Sequence, residues 1–244
     1  TTDSVITSLD INYASNLMVI GTYDNYITLF DVRARNLIAK LIAHSEPITS
    51  VSFSEDSTIF LSTSYDSFCR SWDILKFTCL KTYAMENSPS LNSAILLPNQ
   101  NYILLSAFDG RNEIVNIETE EEAKTFIGNK HQSYLLDYSI YQSYDGEYHI
   151  ISGDEDGAVC HWNILGNENC TRFPIKEGLI INTLDSSEGI IACSSSNDDT
   201  NQIYLIKEQE LQKDENIKCR KESFKEKMEI EHGVVHNEQY YSTL

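Results

Sequence analysis

Four aspartates recur along this chain at a nearly fixed period, and that rhythm restricts its fold more than any other feature. Asp24 in GTYDN, Asp66 in STSYDS, Asp109 in SAFDGR and Asp156 in GDEDGA follow one another at 42, 43 and 47 residues. A second marker keeps the same time. Phe30-Asp31, Trp72-Asp73, Val115-Asn116 and Trp162-Asn163 repeat with identical spacings. Self-similarity at a period of roughly 20–50 residues marks an array of supersecondary units, none of which can bury its apolar surface alone.

Residues 43–74, AHSEPITSVSFSEDSTIFLSTSYDSFCRSWDI, hold one unit with all its punctuation. The alternating run Ile48 to Phe53 predicts a half-buried strand. Ser54 to Ser57 is turn chemistry, and Thr58 to Thr63 is a second apolar strand. Tyr65-Asp66-Ser67 is a tight turn, and Phe68 to Trp72 is a third strand closed by Asp73. The unit is all-β.

The rhythm divides the chain into units at about 4–42, 43–83, 84–127, 128–175 and 176–206. The longer spacing before Asp156 predicts a small insertion, read as a longer hairpin loop near Tyr141 to Glu147. The fifth unit is weaker: Ile180 to Leu184, Ile190 to Ser194 and Ile203 to Ile206. Residues 207–244 change character. They are mostly charged, without a sustained helical stripe, and predict a solvated helix or a disordered tail. His232 and His236 stand at helical spacing there, but a Gly interrupts them and no third ligand is apparent, so no metal site is expected.

A formal net charge of −19 argues against direct nucleic-acid contact, which needs a basic footprint, and suits a basic partner. No apolar run has the ~18 residues of a membrane span. Cys69, Cys79, Cys160, Cys170, Cys193 and Cys219 are scattered without a CxxC pair, which predicts reduced thiols. There is no GxSxG, P-loop, HExxH or glycine-rich dinucleotide turn. Neither an enzyme nor a cofactor is expected.

AHSEPITSVSF…STSYDSFCRSWDI…CLKTY, with NQNYILLSAFDG and GDEDGAVCHWNI after it, resembles the WD-repeat (WD40) β-propeller family. Within that family it is similar to the WD-repeat adaptor of the MLL/COMPASS histone H3 lysine-4 methyltransferases, over about residues 4–206. The resemblance implies five four-stranded blades, corresponding to the last five of seven. Two blades missing upstream are therefore expected, with a closed five-bladed ring as the rival. It also implies a buried structural tetrad of Trp72, a strand hydroxyl (Ser62 or Ser64), His44 and Asp66. Each blade turn carries its Asp: Asp24, Asp66, Asp109 and Asp156.

The family's top-face cavity, which holds an arginine between two phenylalanines, maps onto Thr7, Thr49, Tyr65, Tyr134 and Asp137. Both rings of the sandwich are lost here, at Thr7 and Asp137. The bottom-face groove for a partner segment maps onto Asn99, Tyr102, Ile114 and Lys124, all of which keep their character. Tyr102 and Ile114 also read as ordinary strand residues and Asn99 as a turn residue; Lys124, among Glu120, Glu121 and Glu122, is harder to read as packing. Implied partners are methyltransferase-complex subunits and a histone H3 tail. The implied place is the nucleus, with the cytoplasm as alternative. A WD-repeat adaptor of a ubiquitin-ligase, splicing or RNA-processing assembly stays open.

Overall fold

Each unit folds into one antiparallel sheet, and five sheets follow one another along the chain. The computed structural model describes residues 4–128, 136–143, 146–166, 170–176, 178–187, 190–196 and 201–207. The first sheet holds β1 (Ile6–Ile11), β2 (Leu17–Thr22), β3 (Tyr26–Asp31) and β4 (Asn36–Ile42). The second holds β5 (Ile48–Phe53), β6 (Ile59–Ser64), β7 (Cys69–Asp73) and β8 (Thr78–Tyr83). The third holds β9 (Leu91–Leu96), β10 (Tyr102–Ala107), β11 (Arg111–Asn116) and β12 (Glu122–Ile127). The fourth holds β13 (Tyr138–Gln142), β14 (Tyr148–Gly153), β15 (Ala158–Asn163) and β16 (Thr171–Pro174). The fifth holds β17 (Ile180–Ser187), β18 (Ile190–Ser196) and β19 (Asn201–Lys207). Its three strands, against four expected for every blade, are those of the described residues.

The sheets pack face to face, so a strand's two sides enter two different apolar layers. On β10, Ile103 and Leu105 join the layer shared with the second sheet. Leu104, between them, joins the layer shared with the fourth. Four such layers lie between the five sheets. The first strands β1, β5, β9, β13 and β17 run side by side around a common opening. The architecture is that of propeller blades.

The four rhythm aspartates occupy equivalent corners. Each sits midway between a cross-strand pair: Gly21 with Ile27, Thr63 with Cys69, Ser106 with Asn112, Gly153 with Val159. The next residue turns left-handed every time, with φ of 71° at Asn25, 71° at Ser67, 83° at Gly110 and 81° at Gly157. Gly and Asn adopt this conformation readily, whereas Ser67 bears the roughly 1–2 kcal/mol that a Cβ costs there.

The insertion in the fourth unit lies elsewhere than expected. The loop between β13 and β14 spans 143–147, the same length as the loops at 12–16, 54–58 and 97–101. Gly146 N–H bonds Ser143 O as the equivalent residues do in those loops, while Ser143 N–H bonds Glu147 O, one residue short of the partner used in the other three. The extra residues fall between β12 and β13, at 128–137, where the equivalent links are 43–47 and 84–90. QSYDGE misleads because Asp-Gly is strong turn chemistry in a loop of any length. The tail beyond Lys207, with His232 and His236, lies outside the described residues.

Candidate functional site

The second sheet carries a continuous buried polar chain. Trp72 Nε1–H donates to Ser62 Oγ at 2.9 Å, and Ser62 donates to His44 Nε2 at 2.7 Å. His44 Nδ1–H then donates to Asp66 at 3.0 Å. Asp66 also accepts the N–H groups of Ser45 and Phe68, both at 3.1 Å. Burial would raise the Asp66 carboxyl, but the hydrogen bond and charge of His44 outweigh it and hold it at about 2. Every member spends its donors and acceptors inside the sheet, which leaves none for a substrate.

The other hairpin aspartates are less deeply engaged. Asp24 accepts from Thr22, and Asp109 accepts Arg111 Nε–H at 2.8 Å. Asp156 is half-exposed and stands 3.8 Å from Arg172. In the fourth sheet the buried carboxylate is its neighbour Asp154, which pairs with Arg172.

Around the common opening, β1, β5, β9 and β17 share a device that the sequence did not disclose. Each carries a β-bulge with one extra residue: Thr7, Thr49, Asn92 and Asn182. Bulges re-aim a side chain, and these four line a cavity of about 510 Å³ together with Asp137. Thr7 donates to Gly21 O at 3.1 Å, and Thr49 bonds Thr63 at 2.8 Å. The Asn92 amide grips the backbone of Leu136, donating at 2.6 Å and accepting at 3.3 Å. Asp137 is open to water in the cavity, yet protein packed around its carboxyl strips solvent from it. That desolvation, with the charge of Asp185 nearby, raises it to about 6. Tyr65 does not line this cavity. It stacks on Phe108 at the rim, ring centroids 5.2 Å apart. Tyr134 lies outside the described residues.

At the opposite ends of the strands, Tyr102, Ile114 and Lys124 share the face of the third sheet that meets the fourth. Ile114 is buried and Tyr102 half-buried. Asn99 sits in the exposed loop and caps it by accepting Asn101 N–H at 3.2 Å. A cavity of about 300 Å³ opens beside it, lined by Phe53, Glu55, Ile95, Leu97, Pro98 and Tyr138 among others. The four groove residues are not in its lining.

The Lys124 ammonium is already engaged: it donates to Ile164 O at 2.8 Å and Gly166 O at 2.7 Å, in the fourth sheet. Lys81 does the same one sheet earlier, donating to Ile117 O and Glu118 O at 2.8 Å each. The two lysines stand 43 residues apart. This matching period was the available signal for an inter-sheet clamp.

A succession of sheets around a shared opening, with an indole-to-carboxylate chain in its best-formed member, defines a repeat protein of the propeller class. Over residues 35–73 the chain matches the family described as WD domain, G-beta repeat. COMPASS component SWD3 of Saccharomyces cerevisiae is 28% identical over 65% of this chain and 54% of its own length. Ribosome biogenesis protein ytm1 of Pyrenophora tritici-repentis is 30% identical over 54% of this chain and 28% of its own. Pre-mRNA-processing factor 17 of Homo sapiens is 25% identical over 68% of this chain and 29% of its own. The chain thus spans about half, or less, of these relatives. Residues 35–73 form a WD repeat, and the five antiparallel sheets are consistent with the blades of a WD40 propeller.

Proposed function

We propose that this chain is a non-enzymatic adaptor of a histone H3 lysine-4 methyltransferase complex, which binds peptide segments of its partners at the two ends of its sheets. The observation that supports this most is the set of polar side chains around an opening wide enough for one peptide side chain: Thr7, Thr49, Asn92 and Asn182, re-aimed by their bulges, together with Asp137. The likeness to COMPASS component SWD3 supports the choice of complex. The acidic surface favours basic segments such as a histone tail. At Thr7 and Asp137 an arginine would meet a hydroxyl and a carboxyl where the family has aromatic faces, so Asp137 would bind it through charge.

Affinity purification of the tagged chain tests this. Recovery of a SET-domain subunit is the expected result; recovery of spliceosomal, ribosome-biogenesis or ubiquitin-ligase components in its place sinks the assignment. The similarly related pre-mRNA-processing and ribosome-biogenesis proteins keep that second reading specific. An arginine-bearing histone H3 N-terminal peptide should bind weakly, and Asp137→Asn should abolish what binding there is.

A further inference from the structure

Two cysteines of the fourth sheet meet. Cys160 lies in β15 opposite Arg172 of β16. Strand side chains return to the same face every second residue, so Cys170, two before Arg172, faces the way Cys160 does. Both join the apolar layer between the third and fourth sheets, where Cys160 is buried and Cys170 half-buried. Their thiols share a hydrogen bond. The other described cysteines lie in other sheets: Cys69 and Cys193 are buried, and Cys79 is exposed.

The two sulfurs differ in their surroundings. Cys160 Sγ also donates to Asp154 Oδ2 at 3.7 Å, and Asp154 is itself paired with Arg172. Cys170 stands just ahead of β16, outside the strand ladder. Its sulfur presses on the backbone of Gly128, where an added Cβ would collide with it. The hydrogen bond of Cys160, then the charge of Arg172, hold the Cys170 thiol below its usual value in spite of burial. The same bond, then burial, push the Cys160 thiol up. An oxidant attacks the accessible thiol that ionises readily, and a second thiol beside it resolves the product.

We infer that Cys160 and Cys170 form a reversible disulfide when the chain meets hydrogen peroxide, which makes the fourth sheet a site of oxidative modification. The Cys170 thiolate attacks the peroxide. A sulfur–oxygen bond forms, the oxygen–oxygen bond breaks, and the departing hydroxide takes up the proton Cys170 gave and leaves as water. Cys170 is then a sulfenic acid, oxidised by two electrons. Cys160 sulfur attacks Cys170 sulfur while its proton passes to Asp154. The sulfur–oxygen bond breaks, and the hydroxide collects that proton and leaves as a second water. The peroxide is reduced to water, and the two thiols are oxidised to one disulfide. The bond staples β15 to the start of β16, beside Gly128 at the seam with the third sheet.

Hydrogen peroxide titrated onto the reduced full chain, followed by alkylation and peptide mass mapping, tests the inference. A Cys160–Cys170 cross-link should appear before any oxidation of Cys79, and dithiothreitol should remove it. Cys160→Ala should leave Cys170 as a sulfenic acid that dimedone traps, whereas Cys170→Ser should leave Cys160 unmodified. Circular dichroism checks that the variants fold, and the mapping of the wild type stands without them. Oxidation that begins at Cys79 overturns the proposal. So does a wild type in which Cys170 joins any other cysteine, or passes to a sulfinic acid with no cross-link to Cys160.

Discussion

The second and fourth sheets share a shape and differ in what fills it. Both have a tryptophan at the same corner, Trp72 and Trp162, and an aspartate at the same hairpin tip, Asp66 and Asp156. In the second sheet the indole feeds an internal chain that ends on Asp66. In the fourth, Trp162 Nε1–H donates to Ile127 O of the preceding sheet at 3.2 Å. Ser152, which stands where Ser62 stands, donates to Gly153 O instead. The buried acid shifts two residues to Asp154, which pairs with Arg172 and accepts from Cys160 Sγ at 3.7 Å. Backbone pairing and apolar layers therefore set the blade, and the polar fill is chosen sheet by sheet. In both sheets the buried carboxylate finds a partner, His44 for Asp66 and Arg172 for Asp154.

Removing the acid from each hairpin tip tests this contrast most severely. Asp66→Ala leaves His44 facing an empty buried site and should cost roughly 3–5 kcal/mol. Thermal unfolding will show it, and a cost below about 1 kcal/mol would make the chain ornamental. The clamps between sheets come next. Lys124→Met removes two hydrogen bonds to fourth-sheet carbonyls and should lower stability by about 1–3 kcal/mol. A Lys124→Met protein with unchanged melting would return that ammonium to the pool of binding groups.

Acidity sharpens the comparison further. The Asp66 carboxyl is held at about 2 against 3.8 unfolded, so its contribution is full above pH 4 and is lost as pH falls toward 2. The melting curve of Asp66→Asn should be flatter across that window. In the third sheet the sign reverses. Burial, then the charge of Glu122, pushes Glu113 up to about 7 against 4.5 unfolded. Stability should fall as pH rises from 4.5 through 7, and Glu113→Gln should melt higher than wild type at pH 8 but not at pH 4. The smallest effect is expected at Asp156→Ala, within about 0.5 kcal/mol, because that side chain is half-solvated. A loss as large as that of Asp66→Ala would erase the distinction between the two sheets.

Hairpin tips and strand alternation were legible in the sequence because they are local: an aspartate, a residue that tolerates left-handed backbone, and side chains alternating between two covered faces. The weak fifth unit was legible for the same reason, from Ile180 to Ile206. Relations across sheets were not. The bulges at Thr7, Thr49, Asn92 and Asn182 arise from pairing between strands, and four different surroundings hide them. Lys124 looked like a binding group because its glutamate neighbours are sequential, whereas its partners, Ile164 O and Gly166 O, lie one sheet away. The insertion was placed in the wrong loop because Asp-Gly marks a turn without giving its length.

One glycine fixes how tightly the last two sheets converge. A Cβ on Gly153 would sit 1.8 Å from Ile181 O, so the fourth and fifth sheets meet there backbone to backbone. That corner acts as the hub of a wheel in which the spokes touch. Any side chain at 153 would splay the final spoke outward and swing its rim, and with it the direction in which the wheel could be continued.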